Sequence, residues 1–336
     1  MSGDGMRILV LGGTRFVGRV FIEIALARGH ELTYFHRGQT APGLFPQAQE
    51  VLGDRTGGLQ FLGDQSWDAI LDTSGYVPRI VQESARYLTS RVGQYVFIST
   101  ISVFADFKQA GMNEDAPLGH LEDETIEEIN EDTYGPLKVL CEKAIQRSFP
   151  RNCLIIRPGL IVGPFDSTDR FTYCVRRGTS GAEILAPAPP DQPIQIIDVR
   201  DLMAWTLEKI EAGTMGIFNA TGPKASLKMR QLLTECTTRE NHPVHLTWVD
   251  EQFLIDQDVQ PWSDLPFWVP GDENTGQFTV DCSKAFSAGL DPRPLQETIH
   301  ATFEWDQERD PTADLKAGLS SDRESQLLTL WKQHAH

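Results

Sequence analysis

Tyr134 and Lys138 are four residues apart in a segment with a helical pattern, so their side chains share one helix face. The phenol of a tyrosine has a pKa near ~10 and is a poor base at neutral pH. A nearby ammonium group favours the phenolate and is expected to bring this pKa toward neutrality. Tyr134 could then exchange a proton with an alcohol or carbonyl oxygen, while Thr100, after an apolar run, hydrogen-bonds the same oxygen. A core tyrosine with a surface-reaching lysine is the alternative.

A glycine-rich turn follows the first predicted strand and leads directly into a helix. Its residues are Gly12, Gly13, Thr14, Arg15, Phe16, Val17 and Gly18. Residues without side chains let backbone N–H groups approach a pyrophosphate, and the helix N-terminus adds partial positive charge. The position of the turn at the first strand–helix junction therefore predicts a dinucleotide site. A plain tight turn is the alternative.

The end of the second predicted strand bears on which dinucleotide binds. Folds that prefer NAD usually place an acid there to bind the ribose 2′-hydroxyl. Here the strand ends in Phe-His-Arg-Gly, without an acid. We expect Arg37 and Arg15 to hold a 2′-phosphate through their guanidinium groups. NADP is therefore the predicted cofactor, with NAD as the alternative if Arg37 only forms a surface ion pair.

Three more residues are assigned to the cofactor from their position at strand ends. Asp54 follows the third predicted strand, where its carboxylate could accept the adenine amino group. Thr73 and Ser74 follow the fourth, at the same edge of the sheet. We expect these side chains to lie beside the dinucleotide.

Short apolar runs alternate with helical patterns through the first half of the chain. The predicted strands are 7–11, 31–35, 50–52, 67–71, 94–98 and 154–156, and the helices are 17–28, 78–90 and 134–149. This alternation predicts an α/β fold with a doubly wound parallel (Rossmann) sheet. We assign residues 1–160 to the NAD(P)-binding domain and 161–336 mostly to a smaller, irregular C-terminal substrate lobe. Segments near 194–222, such as 194–197 and 217–220, are expected to return to the main sheet.

A basic cluster in the second half includes Arg170 and Arg177. In so acidic a chain it could bind an anionic group of a substrate. Surface charges on a helix are the alternative. The histidines lack the spacing of a ligand set, so no metal site is predicted.

These motifs together resemble the short-chain dehydrogenase/reductase superfamily, and within it the extended and atypical members called the NAD-dependent epimerase/dehydratase family. The likeness runs from about Met6 to about Gly222. It rests on the glycine turn, Ser99-Thr100, Tyr134 with Lys138, and an Arg-Pro…Gly-Pro element at 157–164. The resemblance implies that Thr100, Tyr134 and Lys138 are the catalytic hydroxyl, the acid/base and the ribose-binding lysine. The turn with Phe-His-Arg-Gly looks most similar to a bacterial atypical group with labels such as isoflavone-reductase-like, epimerase or chloroplast RNA-binding relative.

Departures from the family pattern narrow the expected reaction. Arg15 stands where extended members have glycine, as in NADP-preferring members. Ile101-Ser102 replaces the Asp-Glu of sugar-nucleotide dehydratases, which disfavours dehydration. Leu160 replaces an asparagine common in nucleotide-sugar epimerases, which weakens the case for a nucleotide-sugar substrate.

Three functions follow from these features. The first is an NADP-dependent oxidoreductase of a small carbonyl or alcohol. The second is a nucleotide-sugar epimerase that retains its NAD(P), so that the hydride leaves and returns. The third is a non-catalytic cofactor-sensing or RNA-binding protein. Net consumption of NADPH would distinguish the first from the second.

The composition bears on partners and location. The 336 residues include 30 Lys+Arg and 47 Asp+Glu, for a net charge of −17. Such a surface repels phosphate backbones and anionic lipids, so a small molecule is the expected partner, with nucleic acid unfavourable and no membrane. A homodimer is left open. Five scattered cysteines, the absence of an apolar run of ~20 residues and a start without signal-peptide character predict a cytoplasmic protein.

Overall fold

Strands and helices alternate along the first half of the chain and follow each other less regularly afterwards. The computed structural model describes residues 5–179, 183–237, 244–310 and 313–334. The strands are β1 (Arg7–Leu11), β2 (Glu31–His36), β3 (Gln49–Leu52), β4 (Trp67–Asp72), β5 (Val92–Ile98), β6 (Cys153–Pro158), β7 (Leu160–Val162), β8 (Glu183–Pro187), β9 (Pro193–Ile194), β10 (Ile196–Asp198), β11 (Gly216–Ala220), β12 (Leu227–Lys228) and β13 (His245–Val249).

Helices make up the remaining regular structure. They are α1 (Phe16–Ala27), α2 (Pro78–Leu88), α3 (Glu131–Ser148), α4 (Arg170–Gly178), α5 (Val199–Glu211), α6 (Met229–Thr237), α7 (Glu251–Asp256), α8 (Ser283–Ser287), α9 (Leu295–Gln307) and α10 (Ser321–His334). Short 3-10 helices span Leu59–Leu62, Ile101–Val103 and Asp272–Phe278.

A seven-stranded sheet lies at the centre, in the order β11-β6-β5-β4-β1-β2-β3, and all its pairings are parallel. One apolar core lies between the sheet and helices α1 and α5, and a second lies between the sheet and helices α2 and α3. β1 is covered on both faces, which is why it is apolar at successive positions from Ile8 to Leu11. The predicted doubly wound α/β fold is confirmed.

The strand order reverses between β1 and β4. From β1 the chain adds β2 and β3 on one side, and then crosses over to build β4, β5 and β6 on the other. Loops leaving β1 and β4 therefore diverge and open a crevice at their carboxyl ends. Ligands of open parallel sheets bind at such a switch point.

The predicted elements of the first half are all present, with small shifts in their ends. The helix predicted from residue 134 begins three residues earlier, because Asn130 caps it. The Asn130 side chain accepts hydrogen bonds from the backbone N–H groups of Asp132 and Thr133, both at 3.0 Å. The Thr133 hydroxyl accepts from the Asn130 N–H at 2.9 Å and completes a capping box.

Two segments, 194–197 and 217–220, are predicted to return to the main sheet, and only the second of them does so. β11 pairs with β6 and extends the main sheet, as predicted for 217–220. Residues 194–197 do not join this sheet, because β9 pairs with β12 and β10 pairs with β7 in separate two-stranded sheets. The physical reason is that β11 already occupies the free edge of β6, so β10 follows β7 away from the sheet.

The second half builds its own apolar clusters. One includes Phe171 of α4, Leu232 of α6, Phe267 and Ile299 of α9. Another includes Leu185 of β8, Val249 of β13 and Leu327 of α10. None of the described helices has the length and apolar character needed to cross a membrane.

Candidate functional site

The glycine turn brings β1 and α1 into very close contact. Gly12 and Gly13 have φ angles of +106° and +104°, which side-chain-bearing residues rarely adopt. A Cβ on Gly18 would lie 2.7 Å from both the Cα and the N of Gly13. Arg15, the residue before α1, makes no side-chain cap to this helix. The N–H groups of the first helical turn have no partner within the helix, so the turn is suited to an anionic group.

Thr73 and Ser74 tie the end of β4 to the end of β1. Their hydroxyls donate to the Leu11 carbonyl oxygen at 3.0 Å and 3.2 Å, respectively. Both therefore lie beside the end of β1, at the point where the strand order reverses. Each hydroxyl oxygen keeps its capacity to accept a hydrogen bond. A direct contact with a cofactor stays a prediction.

Arg15, which precedes α1, contacts the loop that begins at Arg37. The Arg15 Nε donates to the Thr40 hydroxyl at 3.0 Å, so its side chain reaches the loop that begins at Arg37. Arg37 is exposed at the end of β2. Asp54, also exposed, accepts hydrogen bonds from the Thr56 hydroxyl and N–H. These bonds, and the charge of Arg37, lower the pKa of Asp54. Arg15 thus contacts this loop and Asp54 lies within the electrostatic influence of Arg37, as expected for the predicted adenosine end of the site.

A buried ion pair under the crevice was missed by the sequence reasoning. Arg55 donates to both carboxylate oxygens of Asp72, at 2.7 Å and 2.6 Å. The Tyr95 hydroxyl adds a bond of 2.7 Å to Asp72, which in turn accepts from the Ser74 N–H at 3.1 Å. Burial opposes ionisation of Asp72, but Arg55 together with the hydrogen bonds from Tyr95 and Ser74 outweighs it, and the pKa of Asp72 is lowered. The sequence feature that could have revealed this ion pair is Asp72, an acidic residue at the end of an otherwise apolar strand.

Thr100 and Tyr134 meet above the carboxyl end of β5. Thr100 precedes the 3-10 helix Ile101–Val103, and its Oγ1 accepts from the Ser102 N–H at 3.1 Å. Tyr134 lies in the first turn of α3, and its hydroxyl interacts with the Thr100 side chain. Gly135 permits this approach, since a Cβ there would overlap the Ser102 carbonyl oxygen. The two predicted hydroxyls are therefore in contact.

Lys138 lies one helical turn farther along α3 and is buried. Its ammonium donates to the carbonyl oxygens of Gly75 and Ile98 at 2.9 Å and 2.7 Å, and it lies 4.1 Å from the Phe97 ring centroid. Burial lowers its pKa to about 8. Lys138 therefore links α3 to the ends of β4 and β5.

The prediction that Lys138 brings the pKa of Tyr134 toward neutrality is wrong for this arrangement. Burial raises the pKa of Tyr134 to about 12; the neighbouring Tyr76 adds to the shift, and the hydrogen bond with Thr100 opposes it. The physical reason is that burial disfavours the charged phenolate of Tyr134, while the Lys138 ammonium is directed to the carbonyl oxygens of Gly75 and Ile98. Tyr76, which the sequence reasoning passed over, has its ring centroid 6.4 Å from that of Tyr134 and remains 44% exposed.

The buried ammonium leads to a pH prediction. We expect the Lys138 amine to titrate near pH 8, well below the ~10.4 of an ordinary lysine. Between these two values the unfolded chain binds more protons at this group than the folded chain, so its contribution to the free energy of unfolding rises with pH. NMR titration of ε-¹³C-labelled lysines measures the value, and the Lys138→Met variant identifies the signal. Titration of every lysine near pH 10 would contradict the prediction.

The predicted substrate arginines take part in contacts within the second half. Arg170 lies against Trp262, with its guanidinium carbon 5.8 Å from the ring centroid and its Nε 3.4 Å from the carbonyl oxygen. Arg177 pairs with the buried Glu324 and donates to the Glu183 carbonyl oxygen at 2.6 Å. Arg177 therefore joins α4 to α10, which is the structural alternative to substrate binding. Among the residues that the structure describes, no group of three or more His, Cys, Asp or Glu could hold a metal ion.

Comparisons with known proteins reveal one curated relative and many similar structures. No protein-family model matches the chain. The chain is 27% identical over 237 residues to the chloroplast stem-loop binding protein of 41 kDa b of Arabidopsis thaliana, a match that covers 65% of this chain. The chain spans about three fifths (59%) of the length of this relative.

Similar solved structures include epimerases. UDP-N-acetylglucosamine 4-epimerase from Bacillus cereus superposes with a TM-score of 0.69 at 14% identity, over 92% of this chain and 99% of that chain. UDP-glucuronic acid 4-epimerase from Bacillus cereus, in complex with NAD, gives 0.66 at 14% identity, over 90% and 99%. The Bordetella bronchiseptica enzyme WbmH, in complex with NAD⁺, gives 0.66 at 15% identity, over 90% and 98%.

These likenesses establish which fold the chain has. It is a Rossmann-type α/β fold shared with these solved structures, and the superpositions cover 90–92% of the chain. The resemblance to the epimerase/dehydratase family, stated from sequence motifs, is confirmed at the level of the fold.

Proposed function

We propose that the protein is an NAD(P)-dependent enzyme of the short-chain dehydrogenase/reductase type, which oxidises or reduces a small alcohol or carbonyl compound. The contact of Tyr134 with Thr100, one helical turn from the buried Lys138, carries this proposal. It places two hydroxyls and an ammonium at the carboxyl edge of the sheet, where the glycine turn also lies.

The residues around the turn fit a dinucleotide. The positive φ angles of Gly12 and Gly13 and the contact of Gly18 with Gly13 leave no room for side chains between β1 and α1. The N–H groups at the start of α1 would hold the pyrophosphate, and Thr73 and Ser74 would border it. Lys138 would bind the nicotinamide ribose. When bound, the cofactor supplies or accepts the hydride.

Tyr134 holds the proton that the reaction needs. Its pKa of about 12 keeps the phenol protonated at neutral pH, so Tyr134 is suited to donate a proton to a carbonyl oxygen during reduction. Thr100 would hydrogen-bond the same oxygen and hold it beside the phenol. In the direction of alcohol oxidation, Tyr134 would accept the proton instead.

A cofactor-retaining epimerase is the second candidate. It is favoured by the similar structures, which include two nucleotide-sugar 4-epimerases. Thr100, Tyr134 and Lys138 would have the same roles in an epimerase, since the hydride leaves the substrate and returns to its other face. The third candidate, a stem-loop binding role like that in the name of the Arabidopsis relative, is disfavoured by the net charge of −17.

NADP is the proposed cofactor because Arg15 and Arg37 flank one loop and no acid follows β2. We expect calorimetric titration to show that NADP⁺ binds more tightly than NAD⁺, and that Arg37→Ala removes this preference. One lost charge-assisted contact corresponds to about a tenfold rise in the Kd for NADP⁺, with little change for NAD⁺. Arg86→Ala, an exposed arginine on α2, is the matched control.

Each result of the titration points to one candidate. Equal or tighter binding of NAD⁺, unchanged in Arg37→Ala, would contradict the 2′-phosphate site and favour the epimerase. Incubation with NADPH and carbonyl compounds, or with UDP-sugars, then separates net cofactor consumption from isomer formation without it. Failure to bind either dinucleotide would refute the enzymatic proposal.

A further inference from the structure

A cleft of about 420 Å³ lies between the start of α1 and residues of the second half, among them Trp305, Arg309 and Lys316. This volume falls in the range of small-molecule sites. The first wall consists of Thr14, Arg15, Phe16, Arg19 and Thr40, and the second of Phe165, Asp166, Ser167, Asp169, Trp305, Arg309 and Lys316. The turn proposed to bind the dinucleotide diphosphate therefore faces residues of the second half across a cleft.

Rings and guanidinium groups connect the two walls. The Arg19 guanidinium carbon lies 3.7 Å from the centroid of the Phe165 ring, and Phe165 meets the edge of Trp305 at 5.8 Å between centroids. The Arg309 guanidinium carbon lies 4.9 Å from the Trp305 ring centroid. Stacking on rings holds both guanidinium groups in place, which reduces the entropy lost when they bind an anion.

The cleft is locally basic in an otherwise acidic chain. Its lining contains four cationic side chains, Arg15, Arg19, Arg309 and Lys316, and two acidic ones, Asp166 and Asp169. Two acids outside the lining pair with these cations: Glu23, an exposed residue of α1, with Arg19, and the buried Asp306 with Arg309 at 3.3 Å.

The two acids are already used within the wall. Asp169 is buried and accepts from Arg309 Nη1 at 2.8 Å and from the Lys316 N–H at 3.1 Å. Asp166 is buried and accepts from the N–H and hydroxyl of Thr168 at 2.8 Å each. Among the described residues, the Lys316 ammonium donates only to the backbone carbonyl oxygen of Ser167, at 3.0 Å. The lining therefore has more cationic than acidic side chains, and Arg15 and Lys316 are its cations without an acidic partner among the described residues.

Two residues of the second wall have a left-handed backbone conformation. Phe165 and Asp169 have φ angles of +71° and +60°, although neither is glycine. Non-glycine residues in this region of backbone conformation cost free energy and cluster at active sites and ligand clamps. Both residues border the cleft, and each positions one of its cations: Phe165 stacks on Arg19, and Asp169 binds Arg309.

We propose that this cleft encloses the diphosphate of the dinucleotide: the α1 N–H groups and Arg19 face it from the first wall, and Arg309 and Lys316 neutralise its charge from the second wall. This inference rests on the proposed function and adds to it a cofactor contact from outside the glycine turn. Lys316 and Arg309 belong to a segment about three hundred residues from that turn. Enclosure of the diphosphate between the two walls slows the release of the cofactor.

The experiment measures dinucleotide binding in variants of the complete chain. Lys316→Met and Arg19→Met remove the charge and keep the length of the side chain. Each is expected to raise the Kd for NADP⁺ and NAD⁺ about tenfold, chiefly through faster dissociation in stopped-flow fluorescence. Lys316→Arg is expected to restore the wild-type Kd. Lys332→Met, which removes an exposed lysine of α10, is the control. Arg309 is kept because its loss would leave the Asp169 carboxylate buried without its charged partner.

Titration with UDP separates a cofactor diphosphate from a substrate diphosphate. If the Kd values for the dinucleotides in Lys316→Met and Arg19→Met equal those of the wild-type chain, the inference is overturned while the proposed function stays intact. Weakened binding of UDP alone would also overturn it, in favour of a substrate site. Failure of the wild-type chain to bind NADP⁺ or NAD⁺ would overturn the proposed function and, with it, this inference.

Discussion

Tyr134→Phe is expected to lower the rate of hydride transfer by about 10²- to 10⁴-fold, the usual contribution of general acid–base catalysis. Phenylalanine keeps the ring beside Tyr76 and removes only the hydroxyl that contacts Thr100. The reacting oxygen would then lose its proton donor, whereas the glycine turn and Lys138 remain. We therefore expect kcat to fall while the Kd of the dinucleotide changes little. The assay uses any alcohol, carbonyl compound or UDP-sugar that the wild-type protein converts.

Tyr87→Phe is the matched control, since Tyr87 lies on α2 and its hydroxyl donates to the Gly63 carbonyl oxygen at 3.3 Å. The pH dependence gives a second test of the same assignment. Because the pKa of Tyr134 is raised to about 12, carbonyl reduction should be independent of Tyr134 ionisation from pH 6 to 9, and alcohol oxidation should accelerate as pH rises. Full activity in Tyr134→Phe would refute its catalytic role and favour a non-catalytic protein.

Arg157→Met is expected to reduce the free energy of unfolding by about 3–5 kcal/mol, as is typical when one partner of a buried ion pair is removed. Arg157 and Glu142 are 1% and 2% exposed, and two hydrogen bonds of 3.0 Å and 2.7 Å join them. Glu142 also accepts from the Ser99 hydroxyl at 2.5 Å. Without Arg157 its carboxylate would stay buried with no charged partner. Urea unfolding measures the change.

An exposed pair of the same type provides the control. Arg79 forms two hydrogen bonds with Glu127, at 2.8 Å and 3.0 Å, but both side chains are about half exposed. Arg79→Met should therefore leave stability nearly unchanged. The double variant Arg157→Met/Glu142→Met should lose less stability than Arg157→Met alone, because it leaves no unpaired buried charge. A small loss in Arg157→Met would show that the pair contributes little.

Patterns within short stretches of sequence determined the strands, the helices and their order. The apolar run of β1 and the glycine turn depend on neighbouring residues, so they could be interpreted without knowing the fold. Strands alternating with helices imply parallel pairing, and parallel pairing brings all carboxyl ends to one edge. For that reason Thr100, Tyr134 and the glycine turn could be assigned to one site before their positions were known.

Only the tertiary structure decided the electrostatics of that site. Lys138 is directed to carbonyl oxygens 63 and 40 residues away in sequence, and its burial and that of Tyr134 set both pKa values. Arg55 forms its ion pair with Asp72, which is 17 residues away in sequence. The basic cleft forms because folding brings Lys316 back to the start of α1. Local sequence patterns encode backbone preference, whereas charge partners and burial depend on which distant segments meet.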